Sequence, residues 1–273
     1  MTFGIATFVT DEGIKPAALG KALEERGFDS LFLAEHSHIP ASRETPYPFG
    51  ELPRRYYRTL DPFVTLAAVA SVTSDLLLAT GVALLIQRDV IHTAKEVASL
   101  DLVSGGRVIF GVGVGWNREE MRDHGTDPRT RGALLDEQVA ALKVIWTQEE
   151  AEFHGRLVDF DPIFQWPKPV QRPHPPIYVG GESPAALARL AAHGDGWLPR
   201  AGTDPAEIRR VREWLTEQGR QDVPFTLFGA NTDPRALEGY VEAGIERVTF
   251  FLPTLPEAET LSELDALAKV AGL

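Results

Sequence analysis

Short apolar segments alternate with amphipathic segments along a chain of 273 residues. Eight segments are short and apolar, as buried strands are; they cover residues 3–9, 30–34, 76–85, 107–112, 177–179, 197–198, 225–228 and 248–252. Each is followed by a segment with helical spacing of its apolar positions; these cover residues 15–26, 61–73, 92–103, 130–146, 184–192, 205–217, 234–243 and 257–271. The pattern predicts eight strand–helix units.

Eight alternating units predict parallel strands whose helices cover the outer face of the sheet. At 273 residues such a sheet is expected to close into a single (β/α)8 TIM barrel of the α/β class. We expect one domain over residues 1–273. The alternative is a doubly wound open sheet, which normally uses fewer units. Against it, no GxGxxG sequence opens a helix after the first predicted strand.

Two extended loops interrupt the repeat, one after the second strand and one before the fifth. Residues 36–60 are rich in Pro, Tyr and Arg and lie on the strand-to-helix side, which is the catalytic face of such barrels. Residues 149–176 contain several aromatic residues and six prolines, and a short hairpin is expected around His154-Gly155. Loops this long in a compact domain are usually functional.

Composition narrows the possible chemistry. The chain has no cysteine, so disulfides, thiolate metal sites and a cysteine nucleophile are excluded, and redox chemistry requires a bound cofactor. Its formal charge of -12 disfavours nucleic acid as a partner. The N-terminal residues lack the pattern of a signal peptide, and no apolar run reaches the ~20 residues that span a bilayer. We therefore expect a cytoplasmic protein that acts on a small molecule.

The end of the second strand carries the strongest candidates for catalysis. Glu35 and His36 follow the strand directly, and His38 comes two residues later. Catalytic residues of barrel enzymes lie at this end of the strands, and histidine exchanges protons near neutral pH. The alternative is that Glu35 is a buried hydrogen-bond acceptor and His38 a solvated loop residue. A metal site is disfavoured, because His36 and His38 point to opposite sides of an extended chain.

Glycines at three strand ends are candidates for contact with a cofactor. Gly81 and Val82 lie within the third predicted strand, where a glycine often marks a bulge or the close approach of a ligand. Gly113, Gly115 and Trp116 follow the fourth strand, where glycine leaves the backbone accessible to a flat ring or a phosphate. The alternatives are packing glycines and a tryptophan that closes the top of the barrel.

The turn after the fifth strand is a candidate anion site. Gly180 and Gly181 precede Ser183, a preferred N-cap residue, and Pro184, a preferred first helical residue. Free amides at such a helix start bind phosphate, although every turn of this kind needs some cap. Weaker candidates for substrate or cofactor-tail contacts are Arg54, Arg55, Tyr56 and Tyr57 in the first long loop, and Arg200 after the sixth strand. The alternative for the loop residues is a solvated face.

The motifs together resemble the bacterial luciferase-like monooxygenase family, and in particular its branch that depends on the deazaflavin coenzyme F420. The resemblance covers about residues 3–200. It rests on Glu35-His36, Thr80-Gly81-Val82, Gly111-Val112-Gly113-Val114-Gly115-Trp116-Asn117, Tyr178-Val179-Gly180-Gly181 and Gly194-Asp195-Gly196-Trp197.

The resemblance implies a barrel whose strand ends hold the ring of the cofactor, with its phosphate at the turn after the fifth strand. It implies that the Gly81-Val82 bulge supports the ring, that His36 lies near the reactive edge, and that the chain forms a homodimer. We expect hydride transfer between F420 and a small organic substrate. The alternatives are an FMN-dependent monooxygenase, a barrel that only binds the cofactor, and a metal-dependent hydrolase.

Overall fold

The computed structural model describes residues 1–273 and contains an eight-stranded parallel barrel with an added hairpin. Numbered along the chain, the barrel strands are β1 (Thr2–Thr7), β2 (Ser30–Leu33), β3 (Leu77–Thr80), β4 (Val108–Val112), β7 (Ile177–Gly180), β8 (Gly196–Leu198), β9 (Thr226–Ala230) and β10 (Arg247–Leu252). The hairpin pairs β5 (Glu150–His154) with β6 (Asp159–Phe164) in antiparallel fashion. Both the predicted barrel and the hairpin around His154-Gly155 are confirmed.

The strands follow one another around the ring in chain order, apart from the hairpin. The order is β8-β7-β4-β3-β2-β1-β10-β9. The first and last strands pair over six residues, from Thr2 with Arg247 to Thr7 with Leu252. The ring closes between β8 and β9 only through two isolated parallel bridges, Trp197 with Phe225 and Arg200 with Phe228.

Nine α-helices surround the barrel. They are α1 (Pro16–Glu25), α2 (Pro62–Ala70), α3 (Val90–Ser104), α4 (Arg118–Asp123), α5 (Arg131–Thr147), α6 (Pro184–His193), α7 (Pro205–Glu217), α8 (Pro234–Glu242) and α9 (Glu257–Ala271). Five of them begin with proline, whose fixed φ suits the first helical position. Short 3-10 helices cover Arg54–Tyr57 and Leu85–Gln87. None of the helices combines the length and the apolar character that a membrane span requires.

The core has two parts. The larger cluster lies between the strands and the surrounding helices, and includes the fully buried Trp146, Phe110 and Phe225. A smaller cluster is formed by Ala6, Phe32, Ala79, Ile109, Tyr178 and Leu198, and Val82 and Phe228 pack against it. The barrel is therefore filled with side chains below its mouth, as in other barrels of this size.

The third predicted strand is longer than the observed one. Residues 76–85 were predicted as one strand, whereas β3 ends at Thr80. The chain then passes through a cis peptide bond between Gly81 and Val82, and only Ala83 still bridges to β4. Continuous hydrophobicity misled the prediction, because the residues after Thr80 are buried in the mouth of the barrel instead of in the sheet.

Candidate functional site

A cleft of about 450 Å³ opens at the C-terminal ends of the barrel strands. Most of its walls are apolar or aromatic, and its polar groups are few, which is typical of sites for small ligands and cofactors. It is lined by Phe8, Ala34, Glu35, His36, Tyr47, Pro48, Phe49, Arg55, Tyr56, Gly81, Val82, Leu84, Gly115, Trp116, Arg200, Ala201, Phe228, Gly229 and Phe251. Nine of the predicted site residues therefore line one cavity: Glu35, His36, Arg55, Tyr56, Gly81, Val82, Gly115, Trp116 and Arg200.

His36 is held by two side chains that follow β4. Its Nδ1 lies 2.8 Å from Oε2 of Glu120, and Nε1 of Trp116 donates to its Nε2 over 3.3 Å. These partners assign the proton of the neutral ring to Nδ1 and leave a lone pair on Nε2. The other carboxylate oxygen of Glu120 is buried and has no partner. Glu120 therefore places a buried carboxylate directly behind the His36 ring, on its Nδ1 side.

Glu35 is a buried hydrogen-bond acceptor. One of its oxygens accepts from Nε of Arg88 and the other from the backbone N–H of Leu84, each over 2.7 Å. Arg88 also donates to Asp61 and Glu96. Because Leu84 follows the cis bond by two residues, Glu35 fixes the backbone that leaves β3. Its direct contacts are structural, although it lines the cleft beside His36.

Val82 lies in a recess that two glycines provide. A Cβ on Gly113 would lie 2.5 Å from Cγ2 of Val82, and a Cβ on Gly180 would lie 2.8 Å from its Cγ1. Both distances are shorter than side chains tolerate, so neither position has room for a larger residue. Gly113 and Gly180 lie outside the cleft lining and act on it through Val82, which is half-buried and faces the cavity.

The turn after β7 has the predicted cap and also an ion pair. The hydroxyl of Ser183 accepts from the N–H of Ala186, which caps α6, and Gly181 adopts a φ of 104°. Glu182 accepts two hydrogen bonds from the side chain of Arg200 and one from its backbone N–H. Although burial opposes it, the Arg200 contact holds the pKa of Glu182 below its usual range. Arg200 thus brings a positive charge close to the start of α6.

The loop over residues 36–60 covers one side of the cleft and is tied to α4. Oε1 of Glu119 accepts from the N–H of Thr45 over 2.9 Å and from the hydroxyl of Ser42 over 3.3 Å, and the Thr45 hydroxyl donates to Oε2. Burial favours the neutral form, but the hydrogen bonds from Thr45 outweigh it and lower the pKa of Glu119 from its ordinary 4.5 to about 2. The loop is therefore fastened by a carboxylate.

Glu119→Gln is expected to loosen this loop at neutral pH. The glutamine amide has the shape of the protonated carboxyl but accepts fewer hydrogen bonds than the carboxylate. Losing roughly one charged hydrogen bond should make the loop open more often, so the rate of tryptic cleavage after Arg43 should rise about ten-fold. In the wild type, the stabilisation is complete above the ordinary pKa near 4.5 and disappears as the pH falls through about 2.

Pepsin cleavage of wild-type protein within residues 43–50 should accordingly increase between pH 4 and pH 2. Glu44→Gln is the matched control, because Glu44 lies in the same loop and forms an exposed pair with Arg122. Equal cleavage of Glu119→Gln and Glu44→Gln by trypsin at neutral pH would show that Glu119 does not fasten the loop.

Seven predicted residues do not line the cleft, namely the four described above (Gly113, Gly180, Gly181 and Ser183) and also His38, Arg54 and Tyr57. His38 is partly exposed, and its Nε2 lies 3.0 Å from Oδ2 of Asp123, whereas the partner of His36 is Glu120. Arg54 forms an exposed ion pair with Glu12, on the loop after β1. The side chains contain no group of three His, Asp or Glu residues arranged to hold a metal ion.

The roles of several residues of the site were not predicted from the sequence. Asn117 caps α4 by accepting from the N–H groups of Glu119 and Glu120, and α4 was not predicted. A capping residue followed by acidic residues in the first turn is a recognisable helix start, so this signal was available. Phe228, Gly229 and Phe251 belong to the last two strands, where the sequence offered no motif.

A closed parallel barrel with a cleft at the C-terminal ends of its strands defines the class of (β/α)8-barrel enzymes. The model of the luciferase-like monooxygenase family matches residues 14–262, and the chain belongs to this family. Members of the family are oxidoreductases or monooxygenases, and the enzymes similar to this chain include F420-dependent and FMN-dependent ones. The family assignment made from the motifs is thereby confirmed.

Three relatives illustrate the range of similarity. The Mycobacterium tuberculosis protein Rv0953c is 38% identical over 98% of both chains. The F420-dependent hydroxymycolic acid dehydrogenase of the same species is 29% identical over 67% of this chain and 48% of its own. The FMNH(2)-dependent dimethylsulfone monooxygenase of Pseudomonas putida is 43% identical over 42% of this chain and 32% of its own.

Solved structures share the fold at low sequence identity. The monooxygenase RslO1 of Streptomyces bottropensis matches with a TM-score of 0.79 and 19% identity over 98% of both chains. An F420-dependent secondary alcohol dehydrogenase matches with a TM-score of 0.76 and 17% identity, over 99% of this chain and 98% of its own. These similarities establish the fold.

Proposed function

We propose that the protein is an oxidoreductase that transfers a hydride between coenzyme F420 and a small organic substrate. The observation that carries the proposal is the convergence of His36, Trp116 and the Gly81-Val82 bulge on one largely apolar cleft. A flat ring binds against an apolar surface where the backbone is accessible, with a few fixed polar groups at the edge of the ring. The cleft has an apolar surface of this kind and polar groups beside it.

The residues present fit a deazaflavin. Gly81, Val82 and Gly115 would contact the face of the ring. Val82 keeps its position because Gly113 and Gly180, which lack side chains, pack directly against its two methyl groups. The turn from Gly180 to Ser183 would hold the phosphate of the side chain, since a helix start favours an anion and Arg200 offsets the negative charge of Glu182 in the same turn. When bound, the deazaflavin supplies two-electron chemistry as hydride transfer.

The protein's own residues then orient, shield and exchange a proton. Because the indole N–H of Trp116 donates to Nε2, His36 takes up a proton at this atom only when that hydrogen bond is released, and Glu120 then balances the charge from the Nδ1 side. Glu35 positions the backbone of Leu84 and therefore the wall of the cleft. Tyr47 and Tyr56, whose hydroxyls lie 2.8 Å apart, belong to the loop that shields the cleft from water.

Two F420-dependent enzymes share the length of this chain, as does the monooxygenase RslO1, which is matched over 98% of its own length. This chain matches 98% of the length of two F420-dependent enzymes, the alcohol dehydrogenase and a tetrahydromethanopterin reductase from Methanopyrus kandleri. It matches only 66% of the FMN-containing 3,6-diketocamphane monooxygenase from Pseudomonas putida, which is longer. The local similarity to the dimethylsulfone enzyme supports FMN-dependent monooxygenation as the second candidate.

Reconstitution separates the two cofactors. Purified apoprotein titrated with F420 and, in parallel, with FMN should quench the fluorescence of F420 at micromolar concentration and that of FMN at least about ten-fold more weakly. The absorption spectrum of protein purified from its native host should show a deazaflavin band. Tight binding of FMN together with at least about ten-fold weaker binding of F420 would contradict the proposal and support the monooxygenase.

Three further expectations remain predictions. They are a single domain over residues 1–273, a homodimer, and a cytoplasmic location. Each follows from the resemblance or the composition, and the proposed reaction does not depend on them.

A further inference from the structure

Three arginines lie close together at the 3-10 helix Arg54–Tyr57, and they differ in their partners. Arg54 pairs with Glu12, and Nε of Arg58 donates to Asp11 over 2.9 Å. Both acidic residues belong to the loop after β1. Arg55, between them, forms neither an ion pair nor a hydrogen bond, and its Nε is buried without a partner. One cation of this segment is therefore uncompensated.

Arg55 faces the cleft and is surrounded by aromatic rings. Its guanidinium carbon lies 4.9 Å from the ring centre of Phe251, 5.6 Å from that of Phe8 and 5.8 Å from that of Tyr56. Such contacts orient a guanidinium but leave its N–H donors unused. The half-buried side chain thus presents a fixed fork of donors to a largely apolar cavity.

The carboxylates that line the cleft or its rim have other partners. Glu35 is bound by Arg88 and Leu84, and Glu182 by Arg200. A cation that is partly desolvated and lacks a partner has an unmet preference for an anion. No carboxylate of the protein pairs with Arg55, so its guanidinium is open to an anionic ligand in the cleft.

The position of Arg55 separates it from the proposed phosphate turn. It packs over Phe251 of β10 and over Phe8, which follows β1, whereas that turn follows β7. Around the ring, β7 lies three strands from β10 and four from β1. One phosphate group therefore does not reach both places.

We propose that Arg55 binds an oxyanion group of the substrate, a carboxylate or a phosphate monoester, and so restricts the enzyme to anionic organic substrates. This inference rests on the proposed function for assigning the anion to the substrate. The planar fork matches both oxyanions in bidentate geometry, and the aromatic surroundings strengthen the interaction by excluding water.

The test uses pairs of ligands of similar shape, one charged and one neutral. Acetate with acetamide, benzoate with benzamide, and phenyl phosphate with phenyl methanesulfonate are titrated calorimetrically into the apoprotein and the F420-loaded protein. At least one anion should bind about ten-fold or more tightly than its neutral counterpart. Arg55→Met should abolish this preference, and Arg55→Lys should retain part of it.

Arg54→Met is the matched control, because it removes an arginine one residue away that is paired outside the cleft; it should keep the preference. Thermal unfolding of each variant verifies the fold, and Arg55→Lys keeps the test meaningful if Arg55→Met is unstable. The inference is overturned if no anion is preferred at concentrations up to about 20 mM, or if Arg55→Met keeps the preference.

A weaker affinity of Arg55→Met for F420, with unchanged anion binding, would also overturn the inference by assigning Arg55 to the cofactor. Failure of the proposed function has a different signature. In that case the wild type does not bind F420, whether or not it binds FMN, while the preference for anions and its loss in Arg55→Met persist.

Discussion

His36→Gln is expected to lower kcat for hydride transfer about a hundred-fold while the affinity for F420 changes by no more than about two-fold. Glutamine fills much of the imidazole's volume and keeps a polar group toward Trp116. It does not exchange a proton near neutral pH, so the loss falls on the chemical step. Stopped-flow measurement of F420 reduction, together with fluorescence titration of the cofactor, separates the two quantities.

Two control variants sharpen this result. Glu120→Gln keeps an acceptor for Nδ1 of His36 but removes the buried charge, so a smaller loss of about ten-fold is expected. His38→Gln should leave kcat unchanged, because His38 pairs with Asp123 outside the cleft. If His36→Gln retains full kcat, the residue has no part in the proton exchange and the catalytic assignment is wrong.

Gly113→Ala is expected to reduce the free energy of unfolding by about 2 kcal/mol and to weaken F420 binding more than ten-fold. The added Cβ would lie 2.5 Å from Cγ2 of Val82, so Val82 must move toward the cleft. Urea denaturation measures the first effect and fluorescence titration the second. Gly180→Ala should act in the same direction, since its Cβ meets the other methyl group of Val82.

Val82→Ala tests whether the two effects share one cause. In the double variant Gly113→Ala/Val82→Ala the methyl group that clashes is gone, so much of the lost stability should return. Gly239→Ala in α8 is the matched control, because its Cβ makes only an ordinary contact at 3.5 Å with Pro205. Additive losses in the double variant would show that Gly113 matters for a reason other than Val82.

The alternation of apolar segments was sufficient to predict the barrel. Each strand is short and buried on both faces, and most helix starts carry local signals such as Asp61-Pro62 and Ser183-Pro184. The side chains of Asp61 and Ser183 accept hydrogen bonds from backbone N–H groups of the first helical turn. These signals are local, and the sequence expresses them directly. The end of β3 was missed although Thr80 and Gly81 interrupt the apolar run there, because the apolar residues that follow are also buried and resemble a continued strand.

The candidate site was only partly predictable, for a physical reason. Residues at the ends of β2 and β4 were found because barrel topology brings strand ends together. The hydrogen-bond partners of those residues were not predicted, because side chains that pair across different elements have no characteristic separation along the sequence. Glu120 lies 84 positions from His36, and Arg88 lies 53 positions from Glu35. Arg54 and Arg55 were indistinguishable by sequence, although one points to Glu12 and the other into the cleft.

The narrow seam between β8 and β9 makes the mouth of the barrel unequally stiff. Two isolated bridges join these strands, whereas β1 and β10 share six paired residues. Thermal deformation of the ring concentrates where the fewest bonds resist it. Arg200 and Phe228 border the seam, and both line the cleft. We therefore expect backbone amides at the Arg200 side of the entrance to exchange hydrogen faster than those at the side of Phe8, Arg55 and Phe251, where β1 and β10 pair over six residues.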